Sequence, residues 1–325
     1  MCTAISLTTS NHYFGRTLDY EFSYGESVVI VPRAFELAYR HGKSCSRHLA
    51  MIGTAHVEDG YPLFYDAANE SGLCMAGLNF VGNAVYDDFD ENDRQNDQIA
   101  QFELVPWVLS NCRTTEDARE LLRHTKVVNT PFSDKLPPSP LHWLIADKDS
   151  SITLETGVGG MKIFDNKVGV LTNNPPFDTQ MLMLAGYAGL SPDQPRASIG
   201  GDVELPLYSR GMGTVGLPGD LSSPSRFARA AFTKLNLSCG VGEQGSLSGF
   251  FHVLGTVEQT KGCCRVGDKY EYTIYTSCIN ADRGIYYYKT YDSLGISAVN
   301  MHDFDIDSGE IISRPMVSID ASMQK

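Results

Sequence analysis

A cysteine stands directly behind the methionine that opens Met1-Cys2-Thr3-Ala4-Ile5-Ser6-Leu7. A small side chain at that position lets an aminopeptidase remove Met1. Cys2 would then lead the working chain, carrying both a thiol and a free α-amine. The reference pKa of an α-amine is about 7.7–8.0 and that of a cysteine thiol about 8.5, so the amine can accept the proton that a histidine takes elsewhere. Nucleophile and base would share one residue, the logic of triad variants built on an N-terminal amine. The competing reading is structural, because cysteine is also a small residue that is often buried.

The surroundings of Cys2 bear on that choice. Thr3–Leu7 and Tyr13–Tyr20 read as strands on either side of an Asn11-His12 turn. Such a hairpin brings Arg16 and Asp19 back beside residue 2. A fixed cation lowers a thiol pKa, and a carboxylate can hold an ammonium or move its proton. A plain hairpin ion pair would explain the same two residues. Asn79 ends an apolar strand, and Asn173-Asn174 close the apolar run Val168-Gly169-Val170-Leu171 before Pro175-Pro176. An amide there can donate to an oxyanion without adding charge, although asparagine before proline is also ordinary turn chemistry. Arg226, one turn into an apolar helix, points a cation at the core, where it must be paired.

Among the elements that must hold these residues, Ser27–Pro32, His48–Gly53, Tyr61–Glu70 and Leu73–Phe80 are strand-like, the last two joined as a hairpin by Ser71-Gly72. Phe102–Ser110 and Thr114–His124 read as helices, the second capped by Thr114. Leu141–Asp147, Ser151–Thr156, Met161–Phe164 and Val168–Thr172 read as a four-strand meander. Two more helices are expected at Pro224–Leu235, capped by Ser223, and at Leu247–Gln259. Strands return at Tyr270–Ile279, Gly284–Tyr291 and Ile296–Met301. Strand groups separated by helix pairs imply an α+β fold: two mainly antiparallel sheets between outer helices, a four-layer αββα sandwich.

The chain has 325 residues and no linker or repeat, so one domain spanning 1–325, less an excised Met1, is expected. A net charge of −13 argues against nucleic acid and a polybasic membrane contact. There is no secretory h-region and no run of about 20 apolar residues. A cytoplasmic protein is expected, with its eight cysteines as free thiols, seven of them buried. Neither cysteine nor histidine spacing suggests a metal site, and no cofactor is expected.

Taken together, Met1-Cys2-Thr3-Ala4, Phe14-Gly15-Arg16-x-Leu18-Asp19, Asn69-Glu70-x-Gly72-Leu73, Ala76-Gly77-Leu78-Asn79-Phe80, Leu171-Thr172-Asn173-Asn174-Pro175, Gly216-Leu217-Pro218-Gly219-Asp220 and Ser225-Arg226-Phe227 resemble the choloylglycine hydrolases, bile salt hydrolases of gut bacteria. The resemblance runs on through Glu271-Tyr272-Thr273 and Gly284–Tyr288. It implies an N-terminal-nucleophile hydrolase, usually a homotetramer, that cuts the amide between a bile acid and glycine or taurine. It makes Cys2 the nucleophile, Arg16 and Asp19 its supports, Asn79 and Asn173 the oxyanion site, and Arg226 part of the constellation. Thr17 departs from the pattern, standing where many relatives have Asn. Leu18, Phe22, Tyr24, Phe64, Tyr65, Phe132 and Leu136 are the implied steroid pocket. Penicillin V acylases share fold and nucleophile, but that branch tends to carry Tyr where this chain has Asn79. A non-catalytic small-molecule binder with a structural Cys2 is the reading from another class.

Overall fold

A computed structural model describes residues 1–317 of the chain; residues 318–325 of the expected single domain lie outside the described residues. The first hairpin is β1 (Cys2–Thr8) and β2 (His12–Tyr20), followed by β3 (Ser27–Val31), β4 (Met51–Glu58), β5 (Tyr61–Asn69), β6 (Cys74–Asn79) and β7 (Asp97–Ala100). Helices α1 (Leu104–Asn111) and α2 (Thr115–Leu122) precede β8 (Thr125–Val128), β9 (Leu141–Ala146), β10 (Ser151–Gly157), β11 (Gly160–Asp165) and β12 (Val170–Leu171). Then come α3 (Phe177–Ala185), β13 (Ser198–Gly200), β14 (Val203–Glu204), α4 (Ser223–Leu235) and α5 (Gly242–Gly255). The chain closes with β15 (Cys264–Val266), β16 (Lys269–Asn280), β17 (Ile285–Thr290), β18 (Ser293–Asn300) and β19 (Ile312–Pro315).

Two antiparallel sheets dominate. The first runs β12-β1-β2-β16-β17-β18, with β15 also on β16; the second runs β11-β10-β9-β6-β5-β4-β3-β19. Helices α4 and α5 pack on the first sheet and α1 on the second, which gives the expected four layers. The strands of the second sheet are apolar on both faces because both are covered. In β3, for example, Val28 and Ile30 join the core shared with the first sheet, while Val29 and Val31 join the core beneath α1.

Several expectations need correction. Only β9, β10 and β11 form a meander; Val170–Leu171 crosses to the other sheet and pairs with β1. Helix α3, the two small strand pairs β7–β8 and β13–β14, and strands β15 and β19 carry too little periodicity to announce themselves. Helix α5 starts at Gly242, its first turn hidden by Gly242 and Gly245. Ser222, not Ser223, precedes α4. The Ser223 hydroxyl is spent elsewhere: it accepts from the Asn173 N–H at 2.8 Å and donates to Thr172 Oγ1 at 2.9 Å. All eight cysteines are free, but beyond Cys2 only Cys74, Cys112 and Cys278 are buried, and Cys263 is exposed.

Candidate active site

The register of the first hairpin decides which groups meet. Cys2 lies opposite Leu18, and Ala4 opposite Arg16. Because side chains alternate along a strand, Arg16 and Leu18 share the face of Cys2, whereas Thr17 and Asp19 share the face of Thr3. A simple Arg16–Asp19 hairpin ion pair is therefore not what the strand builds. Arg16, 1% exposed, donates to the carbonyls of Thr17 at 3.3 Å, Tyr65 at 3.1 Å and Gly77. Burial alone would lower its pKa, but negative charge on Cys2, Asp66 and Asp19 outweighs it and raises the guanidinium above its ordinary value. It is a permanent cation on the thiol's side of the strand.

On the opposite face Asp19 is fully buried and saturated. Its carboxylate accepts from Thr273 Oγ1 at 2.6 Å, Thr17 Oγ1 at 3.1 Å and Gln259 Nε2 at 3.3 Å, with Arg226 Nη1 at 3.9 Å. Thr17, the departure from the family pattern, also accepts from the Thr3 N–H at 3.2 Å, so its hydroxyl ties β1 to Asp19. Arg226 reaches in from the first turn of α4. It donates to the Cys2 carbonyl at 2.5 Å, to Thr3 Oγ1 and Asn173 Oδ1 at 2.7 Å each, and to the Leu221 carbonyl at 3.0 Å. Burial pulls its pKa below the ordinary value, an effect that Asp19 and Cys2 oppose.

The pairing of β12 with β1 carries Asn173 to the nucleophile. Asn173 Oδ1 accepts from the Cys2 nitrogen at 2.8 Å, and its Nδ2 donates to the Asn79 carbonyl at 2.8 Å. The side chain thus orients the Cys2 nitrogen and the end of β6, and its amide nitrogen keeps a second hydrogen beyond the one given to Asn79. Asn79 itself ends β6 and lines the same cavity as Cys2. Met1 is in place, its ammonium donating to the Asp19 carbonyl at 2.6 Å and to Glu271 Oε2 at 2.7 Å.

Cys2 is only 3% exposed, yet it lines a largely apolar cavity of about 210 Å³ together with Arg16, Asp19 and Asn79. Of the expected pocket residues, Leu18, Tyr24, Phe64, Tyr65, Phe132 and Leu136 line it. Phe22 does not: it lies against Tyr20 and Tyr24, ring centroids 5.1 and 4.8 Å away, with the Lys269 ammonium 5.0 Å from its ring. Sequence reasoning missed several other residues of the wall, Phe102, Val105, Leu141 and Trp143 among them. Leu141 and Trp143 come from β9 of the second sheet, Val105 from α1 and Phe102 from the turn just before it, and only the packing of the fold brings them here. The loop bearing Phe132 and Leu136 is pinned by Arg40, which donates to the Phe132 carbonyl at 2.8 Å and lies 5.3 Å from that ring.

Antiparallel sheets between helix layers, with a cysteine at the head of a central strand and its nitrogen held by a buried asparagine, define the class of N-terminal-nucleophile hydrolases. The model of the choloylglycine hydrolase family of linear amide C–N hydrolases matches residues 2–314. The chain belongs to that family. It is 51% identical to a bile salt hydrolase/transferase of Lactiplantibacillus plantarum, covering 98% of each chain, and 37% identical to the bile salt hydrolase/transferase of Clostridium perfringens, covering 96% of this chain and 95% of that one. The structure of the C2A mutant of the conjugated bile acid hydrolase from Clostridium perfringens superposes with a TM-score of 0.90 at 34% identity, over 98% of both chains. Penicillin V acylase from Agrobacterium tumefaciens shares the fold, at a TM-score of 0.76 and 20% identity over 96% of this chain and 90% of that one.

Proposed function

We propose that this amidohydrolase cleaves the amide of glycine- or taurine-conjugated bile acids with Cys2 as its nucleophile. One observation carries the reading: in a chain of this family, the Cys2 side chain lines an apolar cavity while its nitrogen is bound by Asn173 Oδ1 at 2.8 Å. Once Met1 is removed, that nitrogen is a free amine held in place to take the thiol proton. The thiolate attacks the amide carbon, and the Asn79 side chain donates to the oxyanion. The ammonium returns its proton to the leaving nitrogen of glycine or taurine. The amine then deprotonates a water, which attacks the thioester and frees the bile acid and Cys2.

Arg16 supplies fixed positive charge beside the thiolate. Asp19 and Arg226 hold the backbone of residues 1–3 from behind. Leu18, Tyr24, Phe64, Tyr65, Phe132 and Leu136 present the apolar walls that a rigid steroid needs; Phe22 buttresses the rim. No cofactor enters these steps. A cytoplasmic homotetramer is part of the same reading, and among the described residues no helix is long and apolar enough to cross a membrane.

The test is release of glycine and taurine from a panel of conjugated bile acids, with penicillin V alongside and intact mass recorded for each preparation. Turnover of the conjugates by chain lacking Met1 is expected, with Cys2→Ser losing nearly all of it. Preference for penicillin V would transfer the assignment to the acylase branch. Binding without turnover would leave only a small-molecule-binding protein.

A further inference from the structure

Between the two sheets, behind the catalytic asparagines, lies a histidine that the reaction above does not use. His142 on β9 is fully buried. Its Nδ1 lies 3.1 Å from Glu155 Oε1 and its Nε2 2.9 Å from the Thr172 carbonyl oxygen. The carbonyl can only accept, so Nε2 carries a hydrogen. Glu155 Oε1 already accepts from the Phe177 N–H at 2.9 Å, so one further proton must lie between it and Nδ1. Both ring nitrogens therefore face accepting oxygens, and a ring with a hydrogen on each satisfies the Thr172 carbonyl and leaves Glu155 a carboxylate that accepts from both the ring and Phe177. The ring also lies flat on Phe80, centroids 4.3 Å apart and planes 8° apart, an arrangement that favours a cation over the aromatic face.

We propose that His142 is a buried imidazolium, paired with Glu155, and that it is a positioning residue for the active site. Its two contacts adjoin the two asparagines. Thr172 precedes Asn173, whose Oδ1 holds the Cys2 nitrogen, and Phe80 follows Asn79. The Asn173 Nδ2 donation to the Asn79 carbonyl at 2.8 Å closes the loop. One side chain from the second sheet thereby fixes the end of β12 in the first sheet against the end of β6 in its own. The charge strengthens the bond to Thr172 at no cost in exposed cation, because Glu155 neutralises it within the same enclosure. The catalytic part of the inference rests on the reading of Asn79 and Asn173 proposed above; the charge state does not.

Nitrogen-15 NMR of histidine-labelled Cys2→Ala protein reads the charge directly. Hydrogens on both ring nitrogens of His142 at assay pH are expected, with His142→Gln used to assign the signals. A neutral single tautomer would overturn the proposal. Kinetics read the positioning role. In His142→Gln, one amide N–H can still reach Thr172 but the charge is gone, so kcat for conjugated bile acids is expected to fall about 10- to 100-fold, as for other displacements of catalytic geometry, with KM within twofold. Unchanged kcat, or a change confined to KM, would overturn it. Should His142→Gln not fold, Glu155→Gln serves instead: loss of the Nδ1 hydrogen together with the same fall in kcat is expected, and a ring that stays doubly protonated there refutes the pairing. A failed bile acid panel beside a doubly protonated ring would remove the proposed reaction and leave the imidazolium standing.

Discussion

At the scale of single residues, the site divides the work of one cysteine between a face and an edge of a strand. The thiol faces Arg16 and the cavity, while the nitrogen and carbonyl face Asn173 and Arg226. In the proposed reaction Asn79 donates to the developing negative charge from the cavity side. Asn79→Ala should therefore reduce kcat by roughly 10²–10³ while leaving the melting temperature within a few degrees; a variant turning over at the normal rate would remove Asn79 from the oxyanion site. His12 offers a test of stability that is independent of catalysis. Burial lowers its pKa from 6.5 to about 4, against the pull of Asp282 and Asp147. The unfolded chain then binds the extra proton more readily than the folded one, so stability is complete above pH 6.5 and declines as pH falls toward 4. A shift of that size corresponds to about 3 kcal/mol. Denaturation midpoints followed down through this window should drop more steeply in the native protein than in His12→Gln.

At the scale of elements, what lay close along the chain was legible and what lay across the fold was not. Cys2, Arg16 and Asp19 belong to one hairpin whose turn and alternation are written in residues 2–20. Asn173 could be named as a strand-end amide, but its partner could not, because Val170–Leu171 reads as the last strand of a meander and instead changes sheets. Phe22 enters the expected pocket through the family resemblance alone. The strand β2 ends at Tyr20, and beyond that point alternation no longer predicts direction. Trp143 and Phe102 were invisible as pocket walls, since nothing in a single strand tells which end of a neighbouring sheet it will meet. The Phe132–Leu136 loop shows how an element outside the sheets is made rigid. Arg40 holds its backbone and stacks on its ring, so Arg40→Ala should raise KM for conjugated bile acids several-fold and leave kcat nearly unchanged, as read by steady-state kinetics.

At the scale of the molecule, the alternating apolar pattern and the grouping of strands and helices were enough for the four layers, because each sheet must cover two faces. Strand order was not, because the two sheets exchange segments: β12 leaves the second-sheet meander for the first, and β19 returns from the C-terminal part to the edge of the second. Each sheet is therefore incomplete without chain from both halves of the sequence, and the layers should unfold together. Calorimetry is expected to give a single transition; two resolved transitions would divide the chain into separate cooperative blocks.

The placement of the first hairpin has a consequence for biosynthesis. β1 and β2 are made first, yet their neighbours are β12 and β16, and Asp19 is secured by Thr273, 254 residues further on. A ribosome that has produced two thirds of the protein holds a hairpin with β16 still missing from its flank and a nucleophile whose carboxylate support has Thr17 but lacks Thr273 and Gln259. Hydrolytic competence must then arise late and all at once, when β16 leaves the exit tunnel, and until that moment the nascent chain is one with an open sheet edge for chaperones to shield.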